Sequence, residues 1–484
     1  MKQQVLNPFL PSYEYIPDGE PYIFGDRVYL YGSHDRFNGT MYCQNNYVCW
    51  SAPVNDLTNW RNEGIIYRKN QDPMGNGEKR CLYAPDVQQG TDGKYYLYYA
   101  FDFLGVISVA VCDSPAGQYE FYGHIQYSDG TLLGAREGDA FQFDPGVLVD
   151  TDGRVYLYSG FCPETEKFPW KQVRDDEPLI KGGMVIELEP DMKTVKKGPD
   201  YIFPHKSNGI GTDFEGHEFF EAPSIRKVDN TYYFIYSSIN GHELCYATSN
   251  SPTGGFKFRG TIVSNGDIYL NGRTDGEALN YTGNNHGSIV EINGKWYVFY
   301  HRQTNKHQFS RQACAEEIII ENDGSIKQVE ITSQGLNGAP LKGLGEYPAY
   351  IACNLMSKNG AMRYEFGEEV KDYHPYFTQE GGDREDYPFQ YIANFTDGST
   401  AGFKYFEIDK VSMISVKVRG ISTGEFQVYS TLSKEMVARI PIQTDSKEEW
   451  LVSSAPMETK MGKQGLYFTY KGIGAIDLFS FTLK

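Results

Sequence analysis

No two cysteines in this sequence are spaced as C-x-x-C. The eight are scattered from Cys43 to Cys353, which excludes a cysteine-rich zinc site and a dense disulfide framework and points to free thiols in a cytosolic protein. No apolar run is long enough to span a bilayer. Residues 1–15 lack a basic stretch followed by an apolar one, so no signal peptide is visible and a cytoplasmic location is expected. Positive charge is scarce: 45 Lys and Arg stand against 63 Asp and Glu, and the formal net charge of −18 repels nucleic acid. The phosphate-cradling loop, the dinucleotide fingerprint and the serine elbow are all missing. Phosphoryl, hydride and acyl transfer therefore have no support. Long helical patterns are missing too, which leaves an all-β reading.

What is present suits that reading. With 484 residues, the chain is long enough for two or three domains. Aromatic residues make up 15%, with 38 Tyr and 29 Phe beside 51 Gly; this is a composition of short strands and tight turns. A repeat organises the first two-thirds. It begins at Asp18-Gly-Glu-Pro-Tyr, at Asp86-Val-Gln-Gln, at Asp144-Pro-Gly-Val-Leu, at Glu221-Ala-Pro-Ser-Ile and at His286-Gly-Ser-Ile-Val. Each copy leads with an ionisable residue and continues through a short apolar strand and a Gly, Asp or Asn turn. A second strand of the form Tyr-apolar-x-Tyr closes it, carrying Tyr29, Tyr96, Tyr156, Tyr233 or Tyr297. Such turns between such strands are hairpin signals. The interval between copies has room for two more strands, and four strands repeated radially make a propeller blade. The expected fold is a five-bladed β-propeller over residues 1–330, followed by a jelly-roll-like β-sandwich over residues 331–484, where short alternating strands resume.

Equivalent positions in a radial repeat converge. Asp18, Asp86, Asp144, Glu221 and His286 are therefore expected at the mouth of the central channel. Two carboxyl groups across a pocket can hydrolyse a glycosidic bond, one as acid and one as base or nucleophile. A third can raise the acid's pKa by repulsion.

These residues carry a resemblance to glycoside hydrolase family 43. Ile16-Pro17-Asp18 is similar to the family's general-base opening, Phe143-Asp144-Pro145 to its pKa-modulating Asp, and Phe220-Glu221-Ala222-Pro223 to its general-acid motif. The resemblance covers about the first 330 residues and implies an inverting enzyme acting on xylose- or arabinose-containing chains, with Asp18 as base, Asp144 as modulator and Glu221 as acid. Gly19 stands where Pro is frequent and Ala222 where Gly is frequent, which leaves specificity open. The family's matching His implies that His286 holds a hydrated calcium on the propeller axis; otherwise it is a pocket residue. Asp86, His286 and Arg302 are the expected substrate-binding residues, Asp86 alternatively holding the second blade. Trp50 and Trp60 are read as blade packing, His34-Asp35 as pocket rim, and residues 164–178 as a loop over one face.

The last third resembles family 6 carbohydrate-binding modules at Asn394-Phe395-Thr396-Asp397-Gly398 and Gly402-Phe403-Lys404-Tyr405-Phe406. That implies loop aromatics such as Tyr373, Tyr376 and Tyr387 on sugar, and a structural calcium; a bracing role for the sandwich is the alternative. An oligosaccharide is the expected partner, with pentose release favoured over a galactan- or galactofuranoside-cleaving activity or a non-catalytic sugar-binding propeller. Fructoside cleavage is disfavoured, because the Asn-Asp-Pro-Asn opening of the related retaining clan is missing.

Overall fold

The computed structural model describes residues 4–164, 168, 170, 178–384, 389–431 and 435–484. The first part is a ring of five antiparallel sheets, four of four strands and a fifth of three. Their first strands are Glu20–Phe24, Asp86–Gln89, Gly146–Val149, Phe219–Val228 and Ser288–Ile292. The hairpins fall on the turn signals of the repeat. In the fifth blade Asn293 and Gly294 both take positive φ, 52° and 75°, as a type I′ turn requires.

The Tyr-apolar-x-Tyr strands explain how the ring holds together. Successive side chains of a strand point to opposite faces, and in a propeller both faces meet a neighbouring blade. In the second blade, Tyr96 and Tyr98 enter the core shared with the third blade, while Leu97 and Tyr99 enter the core shared with the first. Tyr156 and Tyr158 face the fourth blade, while Val155 and Leu157 face the second. The ring closes between the fifth blade and the first, where Val5, Phe9, Leu10 and Ile16 fill the seam beside Val28, Trp50, Val290 and Phe299. Trp60 packs at a tilt against Phe9 with ring centroids 4.9 Å apart, and Trp50 donates its Nε1–H to Glu14. Both tryptophans pack the first blade, as expected.

After Ile318, the last residue of the fifth blade, the chain passes into a second all-β domain whose strands run from Leu341–Lys342 to Gly462–Leu483. Its three long strands, Met413–Ser430, Met436–Pro456 and Gly462–Leu483, pair antiparallel. Leu466, Phe468 and Tyr470 from one half of the last strand, and Ile476, Leu478 and Phe481 from the other, bury in the same core. The sheet therefore wraps over itself as a sandwich.

The two domains are riveted together. Lys404 is fully buried and its Nζ donates to Asp267 (3.0 Å) and Glu330 (2.8 Å) of the propeller. Arg384 pairs with Glu14, and Asp383 accepts from Phe37 N–H at 2.8 Å. The sequence reading placed Arg302 against substrate, and the structure corrects this. Its guanidinium donates to Ala352 O (3.1 Å) and Gln312 Oε1 (2.9 Å) and lies 4.0 Å from the Phe377 ring, inside the domain interface. Alternation along the strand Lys295–Gln303 is the reason: His301 points to the channel, so Arg302 points away.

Candidate active site

Four of the leading residues stand at the channel mouth, three of them on distorted backbone. Asp18 and Asp144 have φ of 58° and 34°, and Ala222, beside Glu221, has φ of 64°. The register of strand Phe219–Val228 breaks on both sides of Glu221. This bulge re-aims the carboxyl into the cavity. A left-handed Ala222 costs about 1 kcal/mol relative to Gly, which explains why Gly suits this position. Asp144 accepts a hydrogen bond from Ala222 N–H, tying it to the bulge. Strain of this kind is held in place by surrounding structure.

Asp18 is anchored by residues the repeat did not reveal. Arg311, fully buried at the start of Arg311–Ile318, donates Nη1–H to Asp18 Oδ1 at 2.9 Å. Its Nε and Nη2 donate to the two oxygens of Asp35 at 2.9 and 3.0 Å. Asp35 therefore orients Arg311 from behind rather than lining the rim. His34 is buried behind the site as well, with Nδ1 2.9 Å from Asn46 O. His301 donates its Nε2–H to Asn284 O at 2.9 Å and accepts Asp18 N–H on Nδ1 at 3.3 Å. That assigns the neutral Nε2–H tautomer.

The carboxyl groups differ in charge state. Burial alone raises the pKa of Asp18, but the Arg311 guanidinium beside it holds the group well below the ordinary carboxylate range. Glu221 is pushed up to about 8, first by burial and then by the negative Asp18. Asp144 is raised as well, by burial and by its carboxyl neighbours. One ionised carboxylate thus shares the mouth with two carboxyl groups whose pKa values are raised. His286 completes it, with Nδ1 3.7 Å from Asp144 and 3.9 Å from Asp18. Burial lowers its pKa to about 4, so it is neutral near pH 7.

These groups open into a cavity of about 260 Å³ whose other walls include Tyr42, Tyr83, Phe103, Phe143, Phe161 and Phe168. Phe168 belongs to the loop expected to shape the pocket, of which residues 165–167, 169 and 171–177 lie outside the described residues. Asp86 is not at the mouth. It is fully buried, accepting from Tyr22 OH (2.7 Å) and from Val147 N–H (2.6 Å). Asp86 pairs with Tyr98 as Gly146 pairs with Tyr158, so Asp86 matches Gly146 and the true counterpart of Asp144 is Ala84. Asp86 belongs to a second tier, two residues deeper, with Glu20, Ser224, Ser288 and Arg226. There it holds blades together.

The calcium reading finds no direct cage. The ion takes six to eight oxygen ligands, whereas the oxygens near His286 belong to Asp18, which is held by Arg311, and to Asp144. The tier below is neutralised by Arg226, whose Nη2 donates to Glu20 at 2.6 Å. Among the described residues, the only cluster with metal-ligand spacing is His217, Glu243 and Cys245, in the fourth blade. There the Glu243 oxygens already accept from Ser238, Asn240 and Thr261. No described cluster of this kind lies in the sandwich. Tyr376 lines a separate sandwich cavity with Arg419 and Asp477, Tyr373 is exposed, and Tyr387 lies outside the described residues.

Residues 6–326 match the model of glycosyl hydrolases family 43. The chain belongs to that family. This family 43 glycoside hydrolase is 53% identical, over 100% of its own length and 99% of the relative's, to a xylosidase/arabinosidase of Thermoclostridium stercorarium. A solved β-xylosidase/α-arabinofuranosidase from a compost metagenome, in complex with xylotriose in a calcium-free form, is similar at 26% identity with a TM-score of 0.50. The match covers 66% of this chain and 96% of that one. A Bacillus subtilis arabinoxylan arabinofuranohydrolase structure, in complex with cellotetraose, shares the fold of both domains: TM-score 0.50 at 21% identity, over 99% of this chain and 97% of that one. A non-catalytic sugar-binding propeller gives way to an enzyme.

The ionisation pattern sets a pH profile. With Asp18 acting as base and Glu221 as acid, as the family resemblance implies, kcat/KM should fall as pH rises through about 8. The acidic limb from Asp18 should lie below the usual carboxylate range. Rates from pH 3 to 10 check this. An alkaline limb near 5 would show that the proton donor does not have the raised pKa of Glu221.

Proposed function

We propose that this enzyme releases xylose or arabinofuranose units from the ends of short oligosaccharides, with inversion at the anomeric carbon. The observation that carries the reading is the contrast between an ionised Asp18, fixed by Arg311, and a protonated Glu221 on the same small cavity. Asp18 takes a proton from a water, which attacks the anomeric carbon. Glu221 gives its proton to the departing glycosidic oxygen, and burial and the negative Asp18 keep it protonated until then. Inversion leaves room for the water, so the two carboxyl groups should stand about 6.5–9.5 Å apart. These proton transfers need no cofactor. The aromatic walls suit the C–H faces of a sugar ring. A cavity of about 260 Å³ is at the small end for ligand sites, which favours one terminal sugar over a polymer lying in a groove. Support for pentose comes from the name of the 53% identical relative.

The test is a panel of aryl glycosides (β-xyloside, α-L-arabinofuranoside, β-galactoside, β-galactofuranoside), with the first-formed anomer followed by NMR. Turnover of one of the two pentosides with an inverted product is expected. Preference for a galactoside would overturn the sugar, and a retained anomer would overturn the roles of Asp18 and Glu221.

A further inference from the structure

The catalytic cavity is not made by the propeller alone. Arg363, Tyr364, Glu365 and Phe366, from the C-terminal domain, form part of its wall. Their placement is built. Tyr364 N–H donates to Thr282 O at 2.8 Å, and Thr282 N–H to Met362 O at 3.1 Å. The segment thus bridges to the propeller segment that leads through Gly283 and Asn284 to His286. The Tyr364 ring is buried and its hydroxyl donates to Asn305 O. Arg363, Glu365 and Phe366 around it remain exposed at the cavity wall. Phe366 is 44% exposed and stands edge-on to Phe309, with centroids 6.0 Å apart. Phe309 in turn packs on Tyr42, and Tyr42 on Arg311. Arg363 reaches over Gly241 and has Glu365 3.7 Å away as a half-exposed partner.

Position decides what this wall touches. Gly241 follows the strand Thr231–Ser238, whose Ser237 pairs with Glu221. Arg363 therefore stands over the acid's side of the mouth, where the leaving group departs. We propose that Arg363 and Phe366 form the subsite for the leaving sugar, Phe366 as a stacking face and Arg363 as a donor to its hydroxyls. The C-terminal domain is then a specificity element of the active site. This rests on the pentoside-hydrolase reading above.

The test separates the leaving group from the cleaved sugar. Wild type, Phe366→Ala and Arg363→Ala are assayed on xylobiose and α-1,5-arabinobiose, and on xylosyl and arabinofuranosyl fluorides, whose leaving group fills no sugar subsite. In whichever sugar the wild type turns over, each variant should lose about tenfold in kcat/KM on the disaccharide. Most of that loss should appear in KM, and the fluoride should stay within about twofold. Both side chains are exposed, so melting temperatures should match the wild type. Equal losses on disaccharide and fluoride, or no loss on either, would overturn the subsite. Wild-type inactivity on all four compounds would instead remove the pentoside-hydrolase reading, and the subsite with it.

Discussion

Asp18→Asn is expected to lower kcat by about 10²- to 10⁴-fold with KM little changed. Asparagine tolerates the left-handed backbone that Asp18 adopts at φ 58°, and its carbonyl can still accept from Arg311. The fold should therefore survive. What is lost is the basic oxygen that takes a proton from water. A good aryl leaving group lightens the task of the acid but not that of the base, so the loss should appear on aryl glycosides and oligosaccharides alike. Activity within tenfold of wild type would remove Asp18 from the chemistry.

The second large effect is on stability. Arg311→Met removes the cation that neutralises two buried carboxylates, Asp18 and Asp35, and should cost about 3–5 kcal/mol. Denaturant unfolding measures this. In whatever activity remains, the acidic limb of the pH profile should move to higher pH, since Arg311 is what holds the Asp18 pKa down. Arg311→Lys should recover only part of both losses, because one ammonium cannot reproduce a fork shared between two carboxylates. Unchanged stability with an unmoved acidic limb would show that the Arg311 pair is incidental.

The sequence disclosed the parts of this molecule that are written locally. Hairpin turns, strand alternation and an ionisable residue ahead of each inner strand led to the five blades and to Asp18, Asp144, Glu221 and His286. Asp86 was misplaced because counting back from the tyrosine ignores the length of the turn, and a shift of two residues moves a side chain one tier down the channel without changing its face. Arg311 and His301 come from later strands of the fifth blade and lie outside the repeat. A signal for Arg311 did exist: one cation opening the strand Arg311-Gln-Ala-Cys-Ala, whose next four residues carry no charge, implies a buried charge that must find carboxylates. The wall around Tyr364 could not be read locally at all. It depends on how one domain docks against the other, which no nearby pattern encodes.

The seam where the ring closes has a consequence for the order in which the protein is made. Glu14 finds Arg384 at a separation of 370 residues, and Phe37 finds Asp383 at 346. Contacts this distant in the chain are slow to form, and synthesis delivers the N-terminal end first. The first blade therefore waits for these partners until residues 383 and 384 have emerged. The wall around Tyr364 is also far along the chain, so the catalytic chamber is finished only after the whole propeller has been made. A nascent chain carries its acid and base long before it has the vessel in which to use them.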